Sequence, residues 1–567
     1  MMLPTVLLTG CAKENSVDDD MESPRPTKSY VMYVIAEEGM DEEQADAVEA
    51  AINKILKSKY KTRLDIRYVP EDEYYTKLEA EIKAMREAQA ASDEEETEPV
   101  EGDEVVTEEE TVINENGFLE YKYPAFEEHQ VDIFFLGGFE KYKEYIENGW
   151  LCALDSELEI GSNKKLDDYI NYQVLSAMTI VDGQKYAVPN NRVMGEYTYL
   201  LLRKDLMDKY YYGVSDINSI TDAKEFLEDV QAYEKDYDPI AYDSYRDPTL
   251  VHYWSIDPTT LKYDSSKFSI IGNVYSNDCT YNFVKGKEGK IQGETSRQIA
   301  FASLFTKSDY QAQMLALKYY DCYNFYAEEN SKKNFALSVV KGDAALADEY
   351  SDEYYVKVID YPRATTEDIF GSMFAVCEWG GEARDDIDRV MEIITYLNTN
   401  SDFRNLLQYG IENVNYTLNA DGTIKRTAKN KYFMDINKTG NVFVAYPEEG
   451  MSADAWKYGK KQIKDMKVDC LLGFDFAAEV DDISMVNVKA IKAMLDESEK
   501  VAKELEAITS YEEYKAKLEE YATRYATSKP DIRKYINVNA AVEGEPSYPV
   551  ALYKSWLDIK GLIVDNS

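Results

Sequence analysis

Side chains able to do nucleophilic, acid–base or metal chemistry are unevenly supplied in this 567-residue chain. There are two histidines, His129 and His252. That is too few for the common His-based zinc sites, and it argues against a Ser-His-Asp or Cys-His centre. Cysteines stand at positions 11, 152, 279, 322, 377 and 470, none at CxxC spacing. The five after Cys11 cannot all pair within one chain, so buried free thiols are expected rather than a disulfide framework or a zinc knuckle. Neither a metal nor a cofactor is expected. Acids and tyrosines, by contrast, abound: 107 Asp and Glu against 63 Lys and Arg, a net charge of -44, and 48 tyrosines against 5 tryptophans. Such a charge argues against a nucleic-acid or anionic-membrane binder, because phosphate contacts need Lys and Arg. Carboxylates accept hydrogen bonds from hydroxyls, and tyrosine offers a flat apolar face with a polar edge, so the pair suits sugar hydroxyls and sugar rings. The same carboxylates could supply a glycosidase's catalytic pair, which stands roughly 5–9.5 Å apart. His129, just before an apolar run, reads as structural, and Trp254 and Trp379 read as core or rim residues.

The elements that must position these groups come next. The length suggests about four domain-equivalents, or two large lobes with additions. Residues 1–10 form a short apolar stretch ending in Leu8-Thr9-Gly10 before Cys11. It is too short to span a bilayer, which needs about 20 residues, and reads as the end of a signal sequence. The spacing resembles a bacterial lipobox, so Cys11 is expected to carry lipid and residues 11–29, polar and Pro/Ser-bearing, to be its tether. No Lys or Arg precedes the apolar stretch, as a complete signal would have.

Tyr30 to Ala36 is a nearly continuous apolar run, the mark of a strand buried on both faces. Asp41 with Gln44 forms a capping-box pattern, and Ala45, Val48, Ile52 and Ile55 recur at helical spacing. Leu64, Ile66 and Tyr68 alternate as in a strand, a charged helix follows near Tyr74 to Arg86, and Val131 to Leu136 reads as a third strand. Strand and helix in alternation point to a doubly wound sheet with ligands at the carboxyl ends of its strands. Between them, residues 92–110 hold eleven acids and no base, which reads as a solvated surface insertion. Phe139, Tyr142, Tyr145 and Ile146 mark a helix stopped by Gly149. Residues 185–203 hold a strand, a Pro-Asn-Asn break and a second apolar run, a passage able to carry the chain between lobes. A helix beginning near Thr221 places Phe226, Val230 and Tyr233 on one face, and residues 237–263 read as loops. Asp360-Tyr361-Pro362-Arg363 is a second candidate crossing. Ile387, Val390, Ile394 and Leu397 mark a helix, residues 419–422 a hairpin turn, and two amphipathic helices close the chain.

Several segments, in this order and at these intervals, resemble the extracellular solute-binding lipoproteins of bacterial ABC importers, of the maltose-binding-protein type. They are Val131 to Phe135, Glu144 to Gly149 with Leu151, Leu154 and Asp155, and Gly183 to Asn190 followed by Leu201 to Leu206. Ser401-Asp402-Phe403, Leu406 to Glu412, Thr439-Gly440-Asn441 and Leu471 to Phe476 look like the subfamily of large sugar-binding lipoproteins. The acidic insertion and the scarcity of tryptophan depart from that pattern.

The resemblance implies an α/β, two-lobe, periplasmic-binding-protein-like (type II) fold with hinge crossings and extra C-terminal helices. Lobe one would comprise residues 30–193, lobe two 194–355, a return to lobe one 356–400, and completion of lobe two with the C-terminal helices 401–567. It also implies a small-molecule ligand, an oligosaccharide before a peptide or polyol, captured by a monomer and delivered to ABC permease subunits at the outer face of the cytoplasmic membrane, with no enzymatic activity. The cleft would be lined from lobe one by Glu37, Glu38, Gly138 and Phe139, and at the crossing by Asn190, Asn191, Arg192 and Glu196. From lobe two it would be lined by Asp243 and Tyr245, and by Asp348 and Tyr350 after a small-residue strand at 342–347. A surface glycosidase and an adhesive lipoprotein are the competing readings; ligand turnover would favour the first and absence of any small-ligand thermal shift the second.

Overall fold

The computed structural model describes residues 25–95, 111–113, 119–244, 322–378 and 387–468, apart from short gaps, and a few short pieces beyond them. Cys11, the insertion from residue 96 to 110, Tyr245, Trp254, Trp379 and most of the C-terminal helical region lie outside the described residues.

Lys28–Ala36 (β1) has eight of its nine residues buried, as a strand covered on both faces must. Glu42–Tyr60 (α1) returns the chain to Thr62–Pro70 (β2), which pairs with β1 in parallel. Only half of the capping box forms. The Asp41 carboxylate accepts from the Gln44 N–H at 3.2 Å, but the Gln44 side chain instead donates to Lys429 O and accepts from the Lys431 N–H. The start of α1 is thereby tied to a distant loop. Leu56, not Ile55, completes its buried face with Ala45, Val48 and Ile52.

Glu71–Glu95 (α2) runs well beyond Arg86 and takes in residues 92–95 of the expected insertion. Its buried stripe is Tyr74, Leu78, Ile82 and Met85. Ile133–Leu136 (β3) pairs in parallel with β1, and Phe139–Glu147 (α3) follows, ending before Gly149. His129 faces Glu81 at the surface, its Nδ1 3.0 Å from the carboxylate. Short helical turns lead to Ala187–Pro189 (β4), the last strand before the chain leaves this sheet.

Tyr197–Arg203 (β5) opens a second sheet. Lys224–Tyr233 (α4) buries Phe226, Leu227 and Val230, but Tyr233 is 70% exposed and does not belong to the buried face. Tyr237–Ile240 (β6) is a strand where loops were expected; Asp238 and Pro239 hide its periodicity, and it forms the sheet's edge, where proline is tolerated. Asn334–Gly342 (β7) and Tyr354–Asp360 (β8) complete the order β8-β5-β7-β6, with β7 and β8 antiparallel to β5 and β6 parallel to β7.

The chain then re-enters the first lobe. Thr366–Phe370 (α5) carries a full capping box between Thr365 and Asp368. Met373–Val376 (β9) slots between β3 and β4, antiparallel to both, giving the order β2-β1-β3-β9-β4. Ile387–Thr399 (α6) packs against β9, Ser401–Tyr409 (α7) packs on α6 and α1, and strands at 416–418 and 424–426 form the expected hairpin.

Residues 356–360 therefore belong to the second sheet, not to the return. A larger correction concerns residues 401–468, expected to complete lobe two. Phe403, Leu407, Tyr432, Val442, Phe443, Ile463 and Val468 all join the first lobe's core. Of the later residues described, Ile508 joins the second core, beside Leu200, Leu202, Phe226 and Val339. After Ala455–Asp465 (α8), Lys467–Val468 pairs in parallel with Arg363–Ala364 of the second crossing.

Candidate functional site

In the first sheet β3 and β4 both run opposite to β9, so the loops after β1, β3 and β4 leave one edge. The segment before β9 closes that edge. Gly138 N–H donates to Phe370 O at 2.7 Å and Asn190 N–H to Ser372 O at 3.0 Å. Gly137 is needed here, because a Cβ would stand 2.8 Å from Gly371 O. The Tyr75 hydroxyl fixes the same residue, donating to its carbonyl at 3.0 Å and accepting from its N–H at 2.8 Å. Burial pushes that phenol up to about 12. Gly138 has open space where a Cβ would point, and Phe139 packs edge-on against Phe370 with ring centroids 5.1 Å apart. Glu37 and Glu38 are exposed at this edge; the Glu37 N–H donates to Phe433 O at 3.3 Å.

The crossing residues are more committed than their types suggest. Asn191 is buried, its amide donating to Tyr169 O and its carbonyl accepting from Val442 N–H at 2.8 Å. The Arg192 guanidinium donates to Glu367 O at 2.8 Å and Asp368 O at 3.1 Å, satisfying carbonyls of α5. Both brace the fold. Glu196 is exposed. The first two crossings touch at Gly195 (φ +63), where a Cβ would meet Arg363 O at 2.8 Å and Arg363 N at 2.9 Å. Arg363 is in turn held by Asp360, at 3.2 Å and 3.3 Å.

On the second sheet, parallel β6 and β7 send residues 241–244 and 343–347 out of one edge, and Gly342 pairs with Tyr197, the first residue after the crossing. That edge therefore abuts the crossings. The Tyr199 hydroxyl donates to Asp343 O at 3.0 Å and the Ser244 hydroxyl accepts from Val339 N–H at 2.8 Å, pinning both loops. Asp243 is exposed. Residues 342–347 are not a small-residue strand: they end β7, turn, and start the short helix Leu346–Tyr350. Asp348 accepts from the Tyr458 hydroxyl, and Tyr350 packs edge-on against Tyr354 at 5.8 Å.

Sequence reasoning missed two large rings at the same edges. Tyr242 and Tyr361 are 43% and 45% exposed, the second beside Tyr197 at 6.2 Å between centroids. Among 48 tyrosines nothing in residue type separates an exposed ring from a buried one. It also missed α8, whose Asp465 accepts from the Tyr197 hydroxyl at 2.7 Å. Burial first and that carboxylate second hold the Tyr197 phenol far above its ordinary range. The assembled edges offer exposed carboxylates (Glu37, Glu38, Glu196, Asp243) and exposed aromatic faces, groups that accept hydroxyl hydrogen bonds and stack on rings. Among the described residues no cluster of three or more His, Cys, Asp or Glu could hold a metal ion, and no helix is long and apolar enough to cross a membrane.

The chain is similar to solved solute-binding proteins. One is the N-glycan transport solute binding protein from Streptococcus pneumoniae, 16% identical over 94% of this chain and 99% of that one, with a TM-score of 0.48. Another is an HMO-binding, ABC-transporter-associated solute binding protein from Bifidobacterium longum infantis, 11% identical over 94% and 99%, TM-score 0.41. A third is an extracellular solute-binding protein from Staphylococcus aureus solved with maltose, 12% identical over 90% and 100%, TM-score 0.35. No protein-family model matches the chain, and no curated protein does. The two-sheet α/β architecture stands on its own strands and crossings.

Proposed function

We propose that this chain is an extracellular solute-binding protein of an ABC importer, which captures an oligosaccharide between its two lobes. The observation that carries the reading is the convergence of loops from both sheets on crossings that touch at Gly195. Two α/β bodies joined in this way can swing about the crossings, and a ligand that touches both edges favours the closed form. The exposed rings of Tyr242 and Tyr361, with exposed carboxylates at the same edges, support a sugar, whose ring faces stack and whose hydroxyls donate. Cys11 is read as a lipid anchor that keeps the receptor near its permease at the outer face of the cytoplasmic membrane, and the protein as a monomer without catalytic activity.

A thermal-shift screen over glycans and peptides, with product analysis of every hit, tests this. A ligand at 100 times its dissociation constant should add about 2.7 kcal/mol of stability. Asp243→Ala should weaken binding by about 1–3 kcal/mol while leaving the fold intact, since the carboxylate is exposed. Small-angle scattering should show compaction at saturating ligand. Turnover of a hit would replace the receptor reading with a glycosidase, and a peptide as the sole ligand would replace the sugar.

A further inference from the structure

We infer that Gln462 is a positioning residue whose buried side-chain amide ties the second lobe's cleft loop to the first crossing and so sets the angle between the lobes. The inference rests on the two-lobe reading above. Gln462 lies on α8 and is 1% exposed. Its Nε2 donates to Gly195 O at 2.6 Å and to Met194 O at 3.2 Å, and its Oε1 accepts from the Ala344 N–H at 3.0 Å. Met194 and Gly195 belong to the first crossing. Ala344 begins the second-lobe turn that leads into Asp348 and Tyr350. One side chain therefore bonds backbone on both sides of the joint.

The helix that carries it is seated on the first lobe. The Trp456 indole N–H donates to Ala445 O at 2.7 Å. Gly459 lies flush against the same body: a Cβ would stand 2.7 Å from the Phe443 ring and 2.8 Å from a Val193 methyl. Further along, Asp465 takes the hydroxyl of Tyr197, the first residue of β5. Swinging one lobe against the other requires a few backbone torsions in the crossings to change. With their carbonyls held by Gln462, and Gly195 wedged against Arg363, the peptides of Met194 and Gly195 are the fixed point. Rotation must be absorbed by residues on either side of them. Removing the amide leaves the buried Met194 carbonyl and Ala344 N–H and the part-buried Gly195 carbonyl without this partner, a cost that the structure can lower by letting the loop and the crossing part.

The test uses the full chain without ligand. Spin labels are carried on p-acetylphenylalanine placed at Lys54, on the exposed face of α1, and at Tyr233, at the exposed end of α4, which spares the native cysteines. Interlobe distance distributions are read by double electron–electron resonance. Gln462→Leu removes both ties, and Gln462→Glu removes the donor to the crossing. Each should at least double the width of the distribution while circular dichroism stays unchanged. Tyr458→Phe, which removes only the exposed bond to Asp348, should not. Parental widths in both folded Gln462 variants, or equal broadening in Tyr458→Phe, would overturn the inference. Should the Gln462 variants not fold, amide exchange in the parent decides. The Ala344 N–H should exchange at least tenfold more slowly than that of Ala345, whose acceptor is the exposed Asp343 carboxylate, and equal rates would overturn the inference. Because no solute is used, failure here leaves solute binding standing, and failure of solute binding leaves this result readable.

Discussion

Replacing Gly195 with alanine measures how tightly the two crossings are wedged. The matched control is Gly149→Ala, since the two glycines have nearly the same φ, +63 and +64. A side chain in this left-handed region costs about 1–2 kcal/mol, and both variants bear that cost. At Gly149 nothing lies within 4 Å of the added carbon. At Gly195 it meets Arg363 O at 2.8 Å, Arg363 N at 2.9 Å and Pro362 Cβ at 3.1 Å. Two of these atoms are backbone and cannot rotate away, so overpacking should add about 1–3 kcal/mol. Gly149→Ala should therefore lose about 1–2 kcal/mol, and Gly195→Ala about 2–5 kcal/mol. Urea unfolding followed by circular dichroism, with both variants in one buffer, gives the difference. If Gly195→Ala is no more destabilising than Gly149→Ala, the crossings are not in contact and the hinge described above is wrong.

Three further outcomes are expected. Burial pushes the phenols of Tyr33 and Tyr75 up to about 12, from an ordinary value of 10.0. A phenol raised on folding stabilises the fold fully below the unfolded value, and that stability is lost as pH climbs through the folded one; urea midpoints should hold up to about pH 10 and fall towards pH 12. A flat profile across that window would refute the burial of these hydroxyls. Cys11→Ser, made behind a complete signal sequence, should release the protein from membranes, and a variant that stays membrane-bound would remove the lipid-anchor proposal. Deleting residues 96–110 behind a short Gly/Ser linker should leave the melting temperature nearly unchanged, because Val100, Val105 and Val106 are the segment's only aliphatic residues; cooperative loss of structure would show that it is docked.

Much of the first lobe was legible because its signals are local. The apolar run of β1, the 3.6-residue spacing of α1 and the Gly149 stop each depend on a few neighbouring residues, and each element appears there, with only Leu56 replacing Ile55 on the buried face of α1. Signals that depend on distant partners misled. Gln44 has the spacing of a capping box, yet its amide bonds residues 429 and 431, which no local pattern could reveal. Tyr233 has helical spacing with Phe226 and Val230, but at that end of α4 it meets the Tyr210 ring at 6.5 Å and stays 70% exposed.

The division is clearest at the cleft. From sequence alone came the supply of groups, rich in acids and tyrosines, and the order of segments around residues 190 and 361. Burial was not in that supply. Asn191 and Arg192, polar and well placed in sequence, spend their donors on Tyr169, Glu367 and Asp368, while Tyr242 and Tyr361, two rings among many, are left facing solvent. Tertiary structure also decided that residues 401–468 cover the first lobe and that α8 returns to the hinge with Gln462. The physical reason is the range of the interactions. Periodicity records which face of an element is apolar, and that is settled over a few residues. Which neighbour covers the face, and which polar group finds its partner first, is settled by packing between segments more than 100 residues apart, as Gln462 and Ala344 are.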